Sequence, residues 1–290
     1  MSRTKINRNI SDMINDSTYN HYYSYLSLIA KTIFEWSGLP DSVSPKYLEY
    51  CLYNFGQAVF FEDDKLGMLC LQAQPTDLKN VYRDPLSVRA VGENGYTKEV
   101  NKNFVLIKNN DDDIPTRNSI ENFAYRLYDA QRTADTNVFL HKIPYMILCE
   151  EKELLSMKKL FEKVGNNEPV IFGLKNGSIM DNVKVLETKV PLIFNEVMDY
   201  KNTIYNECMT FLGIKNANLD KKERLITSEV DANDDQIAIS GATMLKTRQE
   251  ACEKINKMFG LNVEVRMRDL DEIMLILEKG DNNEVGDENV

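Results

Sequence analysis

A mixed α+β fold is predicted, and three features of the sequence predict it. From Ala58 to Ile107 the apolar pattern falls into short β-rich runs broken by Asp, Gly, Pro and Asn, spaced for an antiparallel sheet or small barrel rather than for βαβ units. Between Pro144 and Phe194 a strand–helix–strand module is bracketed by two long helical patterns. From Met209 to Arg224, the stretch MTFLGIKNANLDKKER closes an apolar helical pattern and opens a highly charged, nearly proline-free connection, after which a further helix runs from Thr243 to Phe259.

A chain of 290 residues can bury a sizeable core and hold one or two domains. Its 43% hydrophobic and 28% charged residues belong to the soluble globular class. No apolar run approaches the roughly 18–20 residues that cross a bilayer, so no membrane partner is expected. The opening MSRTKINRN carries bases with no apolar stretch behind them, which predicts no secretory signal. Cys51, Cys70, Cys149, Cys208 and Cys252 form no CxxC pair; buried free thiols are expected, not a zinc site or a disulfide framework. The net charge of −10 argues against a protein that grips nucleic acid through Lys and Arg. It is compatible with a wall along which DNA slides without sticking.

In chain order, the first ten residues hold Arg3, Lys5 and Arg8 without apolar periodicity, either a disordered basic arm or an arm that touches nucleic acid. Tyr19 to Trp36 reads as one helix, with Tyr22, Leu26, Ile29 and Ile33 at spacings of three and four and Gly38 and Pro40 as its stop. Ser44 and Pro45 begin a short helix whose buried face is Leu48, Cys51, Leu52 and Phe55, and Gly56 ends it. After the β-rich region, Pro115 and the pair Asn118/Glu121 open a helix to about His141, with a narrow seam from Ile120, Phe123 and Leu127. In the following module, PYMILCEE and PVIFG read as strands, Lys152 to Val164 as the helix between them, and NVKVLETKVPLIF as further strand. Asn195 to Leu212 is helical again. Asp220 to Asp235 carries six acids and three bases and reads as mobile. LNVEVRMR alternates as a strand, Leu270 to Glu278 is a short helix, and the acidic end GDNNEVGDENV reads as a tail.

Catalytic chemistry finds no foothold. There is no GxxxxGK[ST], no GxGxxG between strand and helix, and no GxSxG elbow. His21 and His141 have no ligand partners at metal spacing, and Asp111 to Asp113 lacks the glycine and bidentate Glu of an EF-hand loop, so no metal and no cofactor are expected. The chain reads as a non-enzyme.

The wording of MTFLGIKNANLDKKER, and then of LKTRQEACEKINKMFGLNVEVRM, closely resembles the upper collar, or portal (head–tail connector), proteins of small short-tailed phages with protein-primed genomes. Weaker echoes are Ile33 to Trp36 with Leu39 and Pro40, NFGQAVFFED from Asn54, and EPVIFG from Glu168. The resemblance implies a portal fold: a β-rich wing at 1–115, a stem helix at 116–142, an α/β clip at 143–194, a second stem helix at 195–212, a channel loop at 213–244, and a helical crown with the acidic tail at 245–290. It implies a ring, of 12 copies in that family, at one vertex of the virion, assembled in the host cytoplasm, with double-stranded DNA threading its bore. Its implied partners are the major capsid protein, the lower collar or tail protein and a packaging ATPase. The implied channel lining is Lys201, Lys215, Lys221, Lys222 and Arg224 as cationic contacts, and Glu223, Glu229, Asp231, Asp234 and Asp235 as a repelling wall. A structural collar without DNA passage, and a metal-dependent nuclease built on the acidic clusters, stand as alternatives.

Overall fold

The computed structural model describes residues 3–82, 84–142, 145–147, 183–185, 191–214, 227–269 and 271–276. They fall into two units, one of residues 1–128 with 203–290 and one of residues 129–202.

The first unit begins with α1, Arg3–Thr32. The stretch expected to be an aperiodic arm is therefore helical from Arg3. The same helix stops earlier than its periodicity suggests, because Phe34–Ser37 is strand β1, not helix. The reason lies far away in the chain. Strand β9, Glu264–Met267, pairs antiparallel with β1, Phe34 opposite Met267 and Trp36 opposite Val265. Arg268 finishes the junction: its guanidinium donates to Thr32 O at 2.6 Å and Phe34 O at 2.9 Å, and its N–H to Ile33 O at 2.8 Å. A cation on the last carbonyls of a helix is a favourable cap, and here it is supplied by tertiary structure.

Helix α2, Pro45–Phe55, starts at Ser44, whose hydroxyl accepts from the Tyr47 N–H, with Pro45 in the first turn. It ends at Gly56, which adopts φ 77°, a left-handed cap that glycine takes without strain. Leu48, Cys51 and Leu52 are fully buried as expected, whereas Phe55 is exposed.

The β-rich region is one antiparallel sheet: β2 Gln57–Asp63, β3 Gly67–Pro75, β4 Val88–Val91, β5 Thr97–Val100 and β6 Phe104–Lys108, in the order β5-β4-β3-β2-β6. Alternation sends Val59, Phe61, Ala73, Val88, Ala90 and Val100 into one cluster. Phe60 points the other way, its ring 5.4 Å from that of Phe259. Asp63 fastens the sheet's far hairpin, accepting from Lys98 Nζ at 2.9 Å and Tyr96 OH at 2.7 Å. The Lys98 ammonium, the Lys65 N–H and the Tyr96 hydroxyl hold the Asp63 carboxyl well below the usual carboxylate range.

Three long helices complete the picture: α3 Thr116–Lys142, α4 Phe194–Phe211 and α5 Thr227–Phe259. In the first unit, Ile120, Ala124 and Leu127 of α3 are buried, and α3 meets α4 antiparallel through Phe123 with Phe211 and Arg126 with Glu207 (2.7 Å). In the second unit, Ala130, Ala134 and Asn137 continue the buried seam of α3, and Lys201 Nζ of α4 donates to Gln131 Oε1 at 2.7 Å. Small residues in that seam let helices approach closely. The second unit also pairs β7 Tyr145–Ile147 with β8 Val183–Val185, antiparallel. The expected helix at 152–164 and strand at 169–173 lie outside the described residues.

Cys51, Cys70, Cys208 and Cys252 are free and buried, as read from the sequence; Cys149 lies outside the described residues. Burial pushes the Cys51, Cys208 and Cys252 thiols up to about 12 and raises Cys70 as well. At pH 8 such thiols are only about one part in 10⁴ thiolate. Aromatic disulfide titration of the native chain is therefore expected to leave these four unlabelled, and all four are expected to react once the chain is unfolded in denaturant. Rapid native labelling at any of the four would contradict the packing.

Candidate nucleic-acid interface

In sequence, most of the expected channel lining falls between the end of α4 and the first turns of α5. Helix α4 ends in a Schellman turn. Gly213 N–H donates to Thr210 O (3.0 Å) and Ile214 N–H to Met209 O (2.9 Å), while Gly213 itself sits at φ 75°. Met209, Leu212 and Ile214 are buried beside it. Gly213 then passes so close to α5 that a β-carbon placed on it would lie 2.4 Å from Gly241 Cα. Two glycines thus let the two helices cross with backbone in contact.

Beyond the crossing, α5 is held by a buried polar hub. Arg248, 2% exposed, forks onto Glu49 of α2 with two 2.9 Å bonds, Nε to Oε1 and Nη2 to Oε2. Its remaining donors reach Asn109 O (3.2 Å), Asn109 Oδ1 (3.0 Å) and Met244 O (3.0 Å). Trp36 Nε1 donates to Glu49 Oε1 at 2.8 Å, and the guanidinium carbon lies 3.9 Å from the centre of the Phe34 ring. Asn109 in turn donates to Thr116 Oγ1 (2.9 Å) and Ile114 O (2.8 Å), which binds in the start of α3. One guanidinium therefore ties α5 to α2, β1 and the entry of α3. The bidentate fork and the saturated donors are what allow a charge to stay so deep.

On this frame the expected residues are distributed as follows. Lys201 lies on α4, its ammonium on Gln131 of α3. Lys215, Lys221, Lys222, Glu223 and Arg224 lie outside the described residues. Glu229, Asp231, Asp234 and Asp235 belong to α5, which begins at Thr227, so the segment read as a mobile loop is helical over that part. The helix read from Thr243 thus starts 16 positions earlier, at Thr227. Arg3, Lys5 and Arg8 belong to α1. The triple acid at Asp111 to Asp113 forms a turn organised by Asn110, whose Oδ1 accepts the N–H groups of Asp112 (3.2 Å) and Ile114 (2.9 Å). Burial raises the Asp113 carboxyl, with Lys108 3.4 Å away opposing the rise. Among the described residues, no three His, Cys, Asp or Glu side chains converge as a metal site. No described helix is long and apolar enough to cross a membrane.

Sequence reasoning missed the hub and the glycine crossing. A signal existed for each. Arg248 interrupts the apolar series Met244, Ala251, Ile255, and Gly241 stands in the same series one turn earlier. A charge and a glycine on the buried stripe of a helix mark a buried partner and a close approach.

Comparison with known proteins adds the following. The family model described as Phage Connector (GP10) matches residues 2–272. Among solved structures, the portal and tail of native bacteriophage P68 contains a chain 14% identical, with a TM-score of 0.51, covering 99% of this chain and 98% of that one. A chain in the virion of a native gene transfer agent particle is 10% identical, with a TM-score of 0.40, covering 93% of this chain and 85% of that one.

Proposed function

The chain belongs to the phage connector family, and from that membership we propose that its copies stand in a ring, a portal at one vertex of a phage head, through which double-stranded DNA is packaged, retained and ejected. The family match over residues 2–272 carries this reading. In it, 1–115 is the wing, 116–142 and 195–212 are the stem helices, 143–194 the clip and 245–290 the crown with its tail. The antiparallel contacts of α3 with α4 within each unit support the stem assignment.

Residues 213–244 then form the channel loop, with its charged stretch on the bore and Gly213, Ile214, Gly241 and Met244 packed at its two ends. Acids at Glu223, Glu229, Asp231, Asp234 and Asp235 repel phosphate, so the duplex does not adhere. Lys201, Lys215, Lys221, Lys222 and Arg224, repeated by the ring's symmetry, supply weak contacts that exchange counterions and hold no particular register. Arg3, Lys5 and Arg8 are basic enough for a minor nucleic-acid contact. The partners are further copies of the chain, twelve in all, the major capsid protein, a lower collar or tail protein and a packaging ATPase. The ATPase supplies the energy of translocation. The site of action is the virion, after assembly in the host cytoplasm.

Two measurements test this. Averaged images of the purified protein along its symmetry axis are expected to show a ring with a bore wide enough for a duplex; a solid ring would leave a structural collar instead. With Lys221→Ala plus Lys222→Ala, assembled heads are expected to lose packaged DNA faster than wild type. Equal retention would remove these lysines from the channel contacts.

A further inference from the structure

The polar hub around Arg248 leaves one buried hydrogen undelivered. Thr116 is 7% exposed, and its Oγ1 accepts from Asn109 Nδ2 at 2.9 Å. That bond occupies the hydroxyl as an acceptor and leaves its own hydrogen to be donated. Among the described residues no acceptor lies within hydrogen-bond reach of it. Glu49, 4% exposed, has the opposite need. Its Oε1 accepts from both Arg248 Nε and Trp36 Nε1, whereas Oε2 accepts from Arg248 Nη2 alone. A carboxylate oxygen takes about two donors, so Oε2 has a place open.

Thr116 and Glu49 line the same cavity, about 10 Å³ in volume, with Tyr53, Asn109 and Arg248 as its other polar residues. Apolar side chains of α1, β1 and α5 complete the wall. A buried water needs roughly 10–15 Å³ of space and about two to four polar partners, while wholly apolar cavities stay dry. This cavity is polar on several sides and has the size for one molecule.

We infer that the cavity binds a single water molecule, which accepts from the Thr116 hydroxyl and donates to Glu49 Oε2. The directions of the hydrogen bonds select this ligand. Arg248 has no N–H left to offer: Nε goes to Glu49, Nη2 to Glu49 and Asn109, and Nη1 to Asn109 and Met244. Whatever fills the cavity must therefore accept from a hydroxyl and donate to a carboxylate at once. A metal cation cannot accept, a simple anion cannot donate, and an apolar group does neither; water does both. The result is a closed circuit that runs from Arg248 through Asn109, Thr116 and the water to Glu49, and so back to Arg248. Each bond in such a circuit polarises the next. It ties the carboxylate of α2 to Thr116, the first residue of α3.

A high-resolution crystal structure of the full chain tests this without any substitution. One water peak is expected within hydrogen-bond reach of both Thr116 Oγ1 and Glu49 Oε2. A hub in which Thr116 bonds Glu49 directly, or in which no peak stands between them, would overturn the inference. In solution, the magnetic relaxation dispersion of water counts the molecules held inside the protein for longer than it takes to tumble. Thr116→Val keeps the side chain's shape and removes its donor, so it is expected to lose one long-lived water relative to wild type. Thr116→Ser keeps the hydroxyl and is expected to retain that water. Equal counts in all three proteins would overturn the inference, as would the same loss in both variants, which would make packing and not the hydroxyl the cause.

Discussion

Arg248→Met is expected to destabilise the chain by about 3–5 kcal/mol, because it leaves the Glu49 carboxylate buried without its cation. Trp36 Nε1–H alone remains to answer that charge at Glu49 Oε1, and Asn109 loses both guanidinium donors. At roughly 2–4 °C per kcal/mol for a protein of this size, the melting temperature is expected to fall by on the order of 10 °C. The double variant Glu49→Gln with Arg248→Met discriminates the mechanism. Removing the orphaned charge while keeping an acceptor for Trp36 is expected to return a good part of the loss, since a buried ion pair is worth little against a neutral, packed replacement. Thermal melts of the wild type, the single variant and the double variant check this. A single variant as stable as wild type would mean that the fork contributes nothing net. A double variant no better than the single would mean that lost packing, and not the stranded carboxylate, is the cost.

That hub also shows where local sequence stops informing. Ser44 with Pro45, the Gly56 cap, the alternating strands and the extent of α3 are short-range features. A side chain and its neighbours within one turn decide them, so the sequence carries them openly. The end of α1 is different. Phe34 and Trp36 fit a helical stripe as well as a strand face, and the deciding partner, β9, lies more than 200 residues on. Arg248 and Glu49 are 199 residues apart, so each was legible as a charge on an apolar face but their pairing was not.

The first half of α5 was hidden for another reason. Asp231, Asp234 and Asp235 stand at spacings of three and four, where like charges oppose a helix, and Thr, Ser and Asn around them favour caps and turns. Read instead with Val230, Ile237, Gly241 and Met244, the same segment continues the spacing of the helix that follows. A charge expected to face solvent follows no spacing rule, so the proposed channel residues left no pattern to read in the sequence. Their roles came from the family resemblance, and retention experiments now decide them.

Gly213→Ala is expected to cost at least about 2 kcal/mol and to disturb the α4–α5 crossing, whereas Gly241→Ala is expected to be much milder. At Gly213 two penalties add. The residue holds φ 75°, a left-handed conformation that costs an alanine of order 1 kcal/mol. Its new β-carbon would also fall 2.4 Å from Gly241 Cα and 2.8 Å from Gly241 N, and backbone inside a helix cannot step aside as a side-chain end can. At Gly241 the β-carbon meets Gly213 Cα at 3.0 Å and the thioether of Met267 at 3.2 Å, and a methionine end yields readily. Alanine at that position also recovers up to about 1 kcal/mol of helix propensity. Because the crossing packs the end of α4 against α5, and the proposed channel segment follows that end in the chain, the Gly213 variant is expected to lose DNA retention as well as stability. The Gly241 variant is expected to keep both. Denaturant melts and head-retention measurements on the two variants check this asymmetry: equal losses, or a larger loss at Gly241, would show that the left-handed backbone and close approach at Gly213 are not what the crossing depends on.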